Sequence, residues 1–573
     1  MSKPWLPLLL LLHLLLLPCP VPAGEEGKSS QSDKIVITAA QIEQMNVRSV
    51  QELLNLIPGV RAGTSSVSIR GSSSVRVLLD GMPLNDRSSR GVRLELVPFQ
   101  QLEKVVVIKG GGGVAFGDDS SGGVVLFVTR KVEARRIYLE AAGGKLDLLW
   151  LRGEVSRSWR DWGISLSGRY RQDQGYRLNN DQEEKRLGLK LSYHPADWGQ
   201  GRGPTLALDY GERRRGVAGY PSHPTPQARA NSNSLGCSLT WSKGGLKSGT
   251  YFTRFRNHRI NPERDIDSLL TTWTLKQDLG RTLRLPLLGK VQAGLMLAND
   301  HGQGSGLDAR DEQSYALFMV KRARYRDFSL RLGLRANLYS AFAAVLNPEL
   351  ELAWSRGGLR LFTSLAWSNN TPSFRRRYFS HSTLIPNPDL GMERSTNYSL
   401  GLSWQGPRLG AEVSLFDNEI RDRITYVRGD SGVGQYQNLG ETYLRGLDAA
   451  FSLRPLKWLE LKPSYTYLEA KDRRTGLWLT SKPRHKVKVD LILRPRAGLM
   501  LACHYTYSSS VFTRTDNQET GPAYHLVNLR GEYRWERYRI FAELKNLLDQ
   551  DYYFADGLPA PPRTWQVGLG CEF

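Results

Sequence analysis

The sequence predicts a transmembrane β-barrel of about 22 antiparallel strands with a small N-terminal α+β domain inside its lumen. Three observations carry this. The chain opens with an export leader and holds no later apolar run long enough for a membrane helix. From about Val132 onward, apolar and polar residues alternate over hundreds of residues. In the C-terminal half, short turns alternate with long polar loops, as in barrels that face two different compartments.

The leader comes first. Lys3 supplies a positive start, Leu6 to Leu17 is almost unbroken apolar sequence, and Val21-Pro22-Ala23 ends it with small residues. Residues 1–23 therefore read as a signal peptide cut after Ala23. A membrane anchor is the alternative, but the run is short for ~30 Å of hydrocarbon. Cys19 follows Pro18, where a lipoprotein signal needs a small residue. The formal charge of +22, from 78 basic and 56 acidic residues, admits nucleic acid, anionic lipid or an anionic ligand. Export removes nucleic acid from that list. Cys237, Cys503 and Cys571 are odd in number and far apart, so they read as small apolar strand residues. We expect no metal centre and no cofactor.

Residues 40–131 read as the small domain. Ile42, Met45, Val50, Leu53, Leu54 and Ile57 recur at helical spacing over Ala40 to Ile57, and Pro58-Gly59 stops the helix. The runs Val75-Arg76-Val77-Leu78-Leu79 and Val105-Val106-Val107-Ile108 read as strands, closed by Asp80-Gly81 and by Gly110 to Gly113. The glycine run lacks the Gly-Lys-Ser/Thr that a phosphate cradle requires.

Residues 132–573 read as the barrel. Phe328, Leu330, Leu332, Leu334, Ala336 and Leu338 share one face, while Ser329, Arg331, Gly333, Arg335 and Asn337 share the other. Leu187, Leu189, Leu191 and Tyr193 oppose Arg186, Gly188, Lys190 and Ser192, and Ile164, Leu166 and Tyr170 oppose Ser165, Ser167, Arg169 and Arg171. A soluble sandwich also alternates, but the connections here alternate in length. Short turns are expected at 355–358, 405–408, 454–458, 494–498 and 534–537, and long loops at 369–396, 418–442, 469–484, 509–522 and 547–563. Counting strands from Glu349 to Phe573 and scaling to the whole region gives about 22, an even number because both ends face one compartment. A barrel that wide leaves a lumen to be filled, and residues 40–131 are there to fill it.

The motifs carry a resemblance. Leu53-Leu54 leads to Ile57-Pro58-Gly59-Val60, then Ile69-Arg70-Gly71 and Val77-Leu78-Leu79-Asp80-Gly81-Met82-Pro83. Leu102 to Gly110, Ala115-Phe116-Gly117, Ser121-Gly122-Gly123-Val124-Val125 and Val128-Thr129-Arg130 follow in order. In the barrel come Pro372-Ser373-Phe374, Asn387-Pro388-Asp389-Leu390, Tyr436-Gln437-Asn438-Leu439-Gly440, Arg445-Gly446 and Lys545-Asn546-Leu547-Leu548-Asp549. Trp565, Val567, Leu569, Cys571 and Phe573 alternate to the end. Together these resemble the TonB-dependent outer-membrane receptor family. Two departures stand out: Lys104-Val105-Val106-Val107 replaces the usual Arg-Ile-Glu-Val, and Lys109 stands where the family usually has Arg.

The resemblance implies a monomeric outer-membrane transporter of a Gram-negative bacterium with its plug in the lumen. It implies that Arg70 and the cation at Lys109 lock the plug by pairing with barrel glutamates. It also implies that Trp565 and Phe573 form the signal read by the barrel-assembly machinery. The periplasmic segment 24–39 carries Asp33, Lys34, Ile35, Val36, Ile37, Thr38 and Ala39, which resemble a TonB box. Such an extended, β-branched segment suits strand addition to TonB, powered through ExbB–ExbD. The same residues also read as the first plug strand. Residues 24–32 leave little room for a signalling domain before the box.

The expected cargo is a corrinoid such as cobalamin or, equally, a ferric siderophore, with haem as a third reading and a passive plugged channel behind it. Candidate ligand residues are Arg213, Arg214 and Arg215, His223, Arg375, Arg376 and Arg377, and His381, which sits between the Phe-containing and Asn-Pro motifs as haem receptors' histidine does. Both arginine runs also read as solvated loop charge or as contacts to outer-membrane lipid phosphates. No Ser-His-Asp order, paired carboxylate site or His-Glu-x-x-His points to an enzyme.

Overall fold

The computed structural model describes residues 33–573 except 133–134, 196–197, 199–200, 287, 381–383, 429–432 and 556–557. The leader over 1–23, the segment 24–32 and His381 lie outside the described residues.

The alternating region forms a closed barrel of 22 antiparallel strands, from Arg136–Gly144 to Thr564–Glu572. The last strand pairs with the first, in a register that runs from Gln566↔Gly144 to Glu572↔Tyr138. Closure gives each backbone N–H and C=O a partner, which hydrocarbon cannot supply. Leu166, Leu187, Leu317, Leu338 and Leu569 project outward, while Arg186, Arg331, Arg335 and Glu349 are buried inside. Trp159, Trp162, Tyr325, Phe328, Trp458, Trp535, Tyr538 and Phe573 are exposed beside the short turns and form an interfacial girdle at that end. No described helix is long and apolar enough to cross a membrane.

The five expected short turns are present, and four of the five long loops. The exception is 418–442. Strands Leu409–Arg428 and Gly434–Leu456 run on through most of it and leave only a short connection. Backbone pairing between the two strands carries the ladder on past the membrane, bulged between Ile420 and Ile424.

Inside the lumen, the plug is built on a five-stranded sheet in the order Lys34–Thr38, Leu102–Lys109, Gly123–Thr129, Val75–Leu79, Met82–Pro83. Leu53, Leu54, Ile69, Val77, Val105, Val107 and Phe127 form its core. The expected single helix over 40–57 is two helices, Ala39–Gln44 and Val50–Leu56. Asn46 takes a left-handed φ of 52° that ends the first. Ser49 Oγ accepts from the Glu52 amide at 3.2 Å and starts the second.

Candidate functional site

Two clusters of ion pairs anchor the plug, further plug–barrel pairs lie nearer its apex, and a cationic seat lies above it. The first anchor is built around Arg70, which the turn after Val67–Ile69 holds at φ 49°. All five of its donors are used. Nε donates to Asp448 Oδ2 at 2.9 Å. Nη1 and Nη2 grip Asp33 at 2.9 and 3.1 Å, and each donates once more, to Ser399 and Ser414 at 3.1 and 2.6 Å. Burial alone would favour the neutral guanidine, but Asp33 and then Asp448 more than offset it and raise the Arg70 pKa. Lys109 Nζ reaches the same Asp448 oxygen at 3.2 Å, and Thr466 donates to the other at 2.8 Å. The barrel partner of both plug cations is thus an aspartate, not the expected glutamates. Gly59, at φ 70°, leaves Asp448 the space: a Cβ there would lie 2.8 Å from Oδ2.

The second anchor lies where the barrel closes. Arg48 pairs with Glu532 and approaches Glu140 at 3.9 Å, and its guanidinium stacks 4.1 Å from the Phe541 ring centroid. Glu52 binds Lys545 Nζ at 2.8 Å and Arg530 Nη2 at 3.0 Å, and accepts from the Arg48 amide at 2.9 Å. Burial would raise the Glu52 pKa, but Arg530 and Lys545 together hold it well below the usual carboxylate range.

On the opposite side, the plug loop 86–93 points to the long external loops. Arg93 binds Asp86 at 2.7 Å, Arg87 binds Asp300 at 3.0 Å, and Arg90 pairs with Asp119. The helix Phe374–Tyr378 folds onto this apex, with the Phe374 and Arg375 amides donating to Arg87 and Ser88 carbonyls at 3.1 and 3.2 Å.

The predicted arginines separate here. Arg213 lies in the strand Thr205–Gly216, not in a loop, and its buried guanidinium binds Glu95 of the plug at 3.2 Å. Arg377 is also buried and binds Glu312 at 2.5 Å and the Pro388 carbonyl at 2.9 Å. Arg214 is on the outer face, paired with Glu212 at 2.6 Å. Arg215, Arg375 and Arg376 stay without a carboxylate partner among the described residues, as does Arg259, which the sequence reading missed. Arg259 lies within electrostatic reach of Arg375, and Arg215 within reach of Arg259. Burial and then Arg90 lower the Arg376 pKa from the usual arginine value. Arg376 lies 5.5 Å from the Tyr436 ring centroid and Arg375 5.5 Å from that of Phe379. His223 is exposed on a small hairpin, with Ser222 at 3.0 Å.

At the other end, Asp33 to Ala39 do not hang free. Lys34–Thr38 pairs along its length with Leu102–Lys109, so the segment is the first plug strand. Trp565 faces outward, and the Phe573 backbone exchanges hydrogen bonds with Ile137 at 2.8 and 2.9 Å.

A family model described as TonB dependent receptor-like, beta-barrel, matches residues 147–547, and the TonB-dependent Receptor Plug Domain model matches 27–124. The chain belongs to the TonB-dependent receptor family. It is an outer-membrane β-barrel. The receptor is 24% identical to an iron-regulated outer membrane virulence protein of Vibrio cholerae, over 94% of this chain and 92% of that one. It is 23% identical to the vitamin B12 transporter BtuB of Vibrio vulnificus, over 91% and 88%. Among solved structures, the siderophore receptor PirA of Acinetobacter baumannii superposes with a TM-score of 0.78 at 16% identity, covering 95% of this chain and 98% of that one. The FrpB iron transporter of Neisseria meningitidis superposes with 0.80 at 13% identity, covering 96% and 100%. These superpositions show the fold.

Sequence reasoning missed the receptor's Asp448, Glu52 and Arg259, because their surroundings are set by how the plug docks in the barrel. Asp448 follows Arg445-Gly446 by two residues, on the lumen face.

Proposed function

We propose that this receptor imports an anionic ferric siderophore across the outer membrane, using energy delivered by TonB with ExbB–ExbD. The observation that carries the cargo class is the group Arg215, Arg259, Arg375 and Arg376 around the plug apex. The neighbouring carboxylates are already engaged: Glu95 by Arg213, Glu312 by Arg377, Asp119 by Arg90. The four cations therefore stand in excess, facing the external side. Tyr436 and the buried Phe379 carry Arg376 and Arg375 over their rings and so position these two cations. Four positive charges suit a multiply charged ferric chelate better than a corrinoid, and relatives named as siderophore receptors support this reading. The vitamin B12 transporters among the relatives keep the corrinoid as the second reading. The haem reading rests on His381.

For energy coupling, the supporting feature is the edge strand Lys34–Thr38, paired on one side only. A periplasmic partner can add a strand to such an edge. We read the segment 24–39, with Asp33 to Ala39 as the TonB box, as the part of the chain that TonB takes. Residues 1–23 would be the leader, 40–131 the plug and 132–573 the barrel, assembled by the barrel-assembly machinery.

Purified receptor should bind a ferric catecholate more tightly than cobalamin or haemin. Binding should weaken as salt shortens the screening length from about 8 Å towards about 3 Å. Replacing Arg215, Arg259 and Arg376 together by Gln should weaken it further while the barrel still assembles. Salt-insensitive binding, or preferred binding of cobalamin, would overturn the siderophore reading.

A further inference from the structure

We propose that Asp33 is a release latch whose withdrawal unbalances the ionic anchor at Asp448. This rests on the reading that a partner pulls the receptor from its N-terminus. Four charges touch in that anchor: Arg70 and Lys109 from the plug interior, Asp33 from the segment just before the first strand, and Asp448 from the barrel. In contact they sum to zero. Glu412 and Lys488 lie at longer range, outside these contacts.

Asp33 differs from the other three in how it is held. It is buried at 4% exposure, adopts a left-handed φ of 52°, and its carbonyl accepts from the Lys109 amide at 3.1 Å. Yet it is joined to the edge strand of the sheet, which has a single ladder to break. Peeling that strand from its N-terminal end removes Asp33 first. Arg70 then loses both Asp33 contacts, and two buried cations share one carboxylate. A buried charge stripped of its partner is strongly destabilising, so a tug on the N-terminal side of Asp33 loosens the attachment of the plug to the barrel wall. The departure at Lys109 fits this role. An ammonium is a point charge without a fixed fork, so it holds Asp448 without taking over the geometry that Arg70 loses.

Native-state hydrogen exchange by mass spectrometry, on purified receptor in detergent at fixed urea, tests this without partner or cargo. Asp33→Asn keeps the size and removes the charge. It should speed exchange of the 102–109 amides by about 100-fold, the scale expected for an uncompensated buried charge. Adding Lys109→Met to Asp33→Asn removes the surplus cation and should bring exchange back towards wild type. A role in packing alone predicts that the two substitutions add instead. Wild-type exchange in Asp33→Asn, or no recovery in the double variant, would overturn the latch. Siderophore accumulation by cells with and without TonB tests the transport reading separately.

Discussion

Glu52→Gln isolates the charge at the anchor beside the barrel closure. The glutamine keeps the shape and an acceptor for the Arg48 amide but leaves Arg530 and Lys545 facing a neutral group. Arg530 is 6% exposed and retains Glu543, whereas Lys545 is 41% exposed, so solvent screens much of its loss. Breaking a fully buried pair costs about 3–5 kcal/mol. With one partner screened and the other still half-compensated, the loss should be about 2 kcal/mol. At a urea slope of about 2 kcal/mol per M, the midpoint for plug undocking falls by about 1 M. Exchange of the 50–56 amides across a urea series reads that midpoint. The pH profile supplies a second test. The Glu52 pKa is depressed in the folded receptor, because Arg530 and Lys545 outweigh burial. Its contribution is therefore complete above the unfolded value of about 4.3 and lost as pH falls through the folded value. Wild-type docking should be level from pH 8 to 5 and weaken below about 4.3, and Glu52→Gln should lack that acid component. A midpoint equal to wild type, or an unchanged acid profile, would refute the reasoning.

Gly81→Ala should disturb plug seating, because Gly81 has φ 97° and a Cβ would lie 2.3 Å from Tyr251 Oη. Strain of about 1–3 kcal/mol should appear as faster exchange of the 75–79 amides, while barrel heat-modifiability stays normal. Asp448→Asn should leave Lys109 buried without a carboxylate, so conductance through the receptor in planar bilayers should rise at urea concentrations where wild type stays closed. Deleting Phe573 removes two backbone hydrogen bonds to Ile137 and an interfacial ring, and the fraction of heat-modifiable barrel in outer membranes should fall.

Most of the barrel could be read from the sequence because strand faces are written locally. Leu330, Leu332 and Leu334 against Arg331 and Arg335 need no knowledge of the rest of the chain. Strand ends were harder. Loop-like polarity over 418–442 hid a ladder that continues beyond the membrane, since solvated strands need no apolar face. The plug strands were legible from apolar runs, but the break at Asn46 was not, because helical spacing carries across a short interruption. Arg70 and Lys109 stood out through their motifs. Their partner lies 378 residues from Arg70, and no local pattern specifies a pairing at that range. The arginine runs show the same limit: three consecutive residues, Arg213, Arg214 and Arg215, face the plug, the outside and the vestibule in turn.

The anchor beside the closure also sets an order of events. Arg48 and Glu52 are made early, yet their partners Arg530, Glu532 and Lys545 leave the ribosome last, and Glu140 sits across the terminal strand from them. Docking of this segment therefore cannot finish until the last hairpin has met the first strand. A nascent or truncated chain that lacks the last hairpin would carry the 48–56 segment of its plug unmoored and open to protease. Quality control in the envelope could then tell a finished molecule from an unfinished one by whether that single segment resists cleavage.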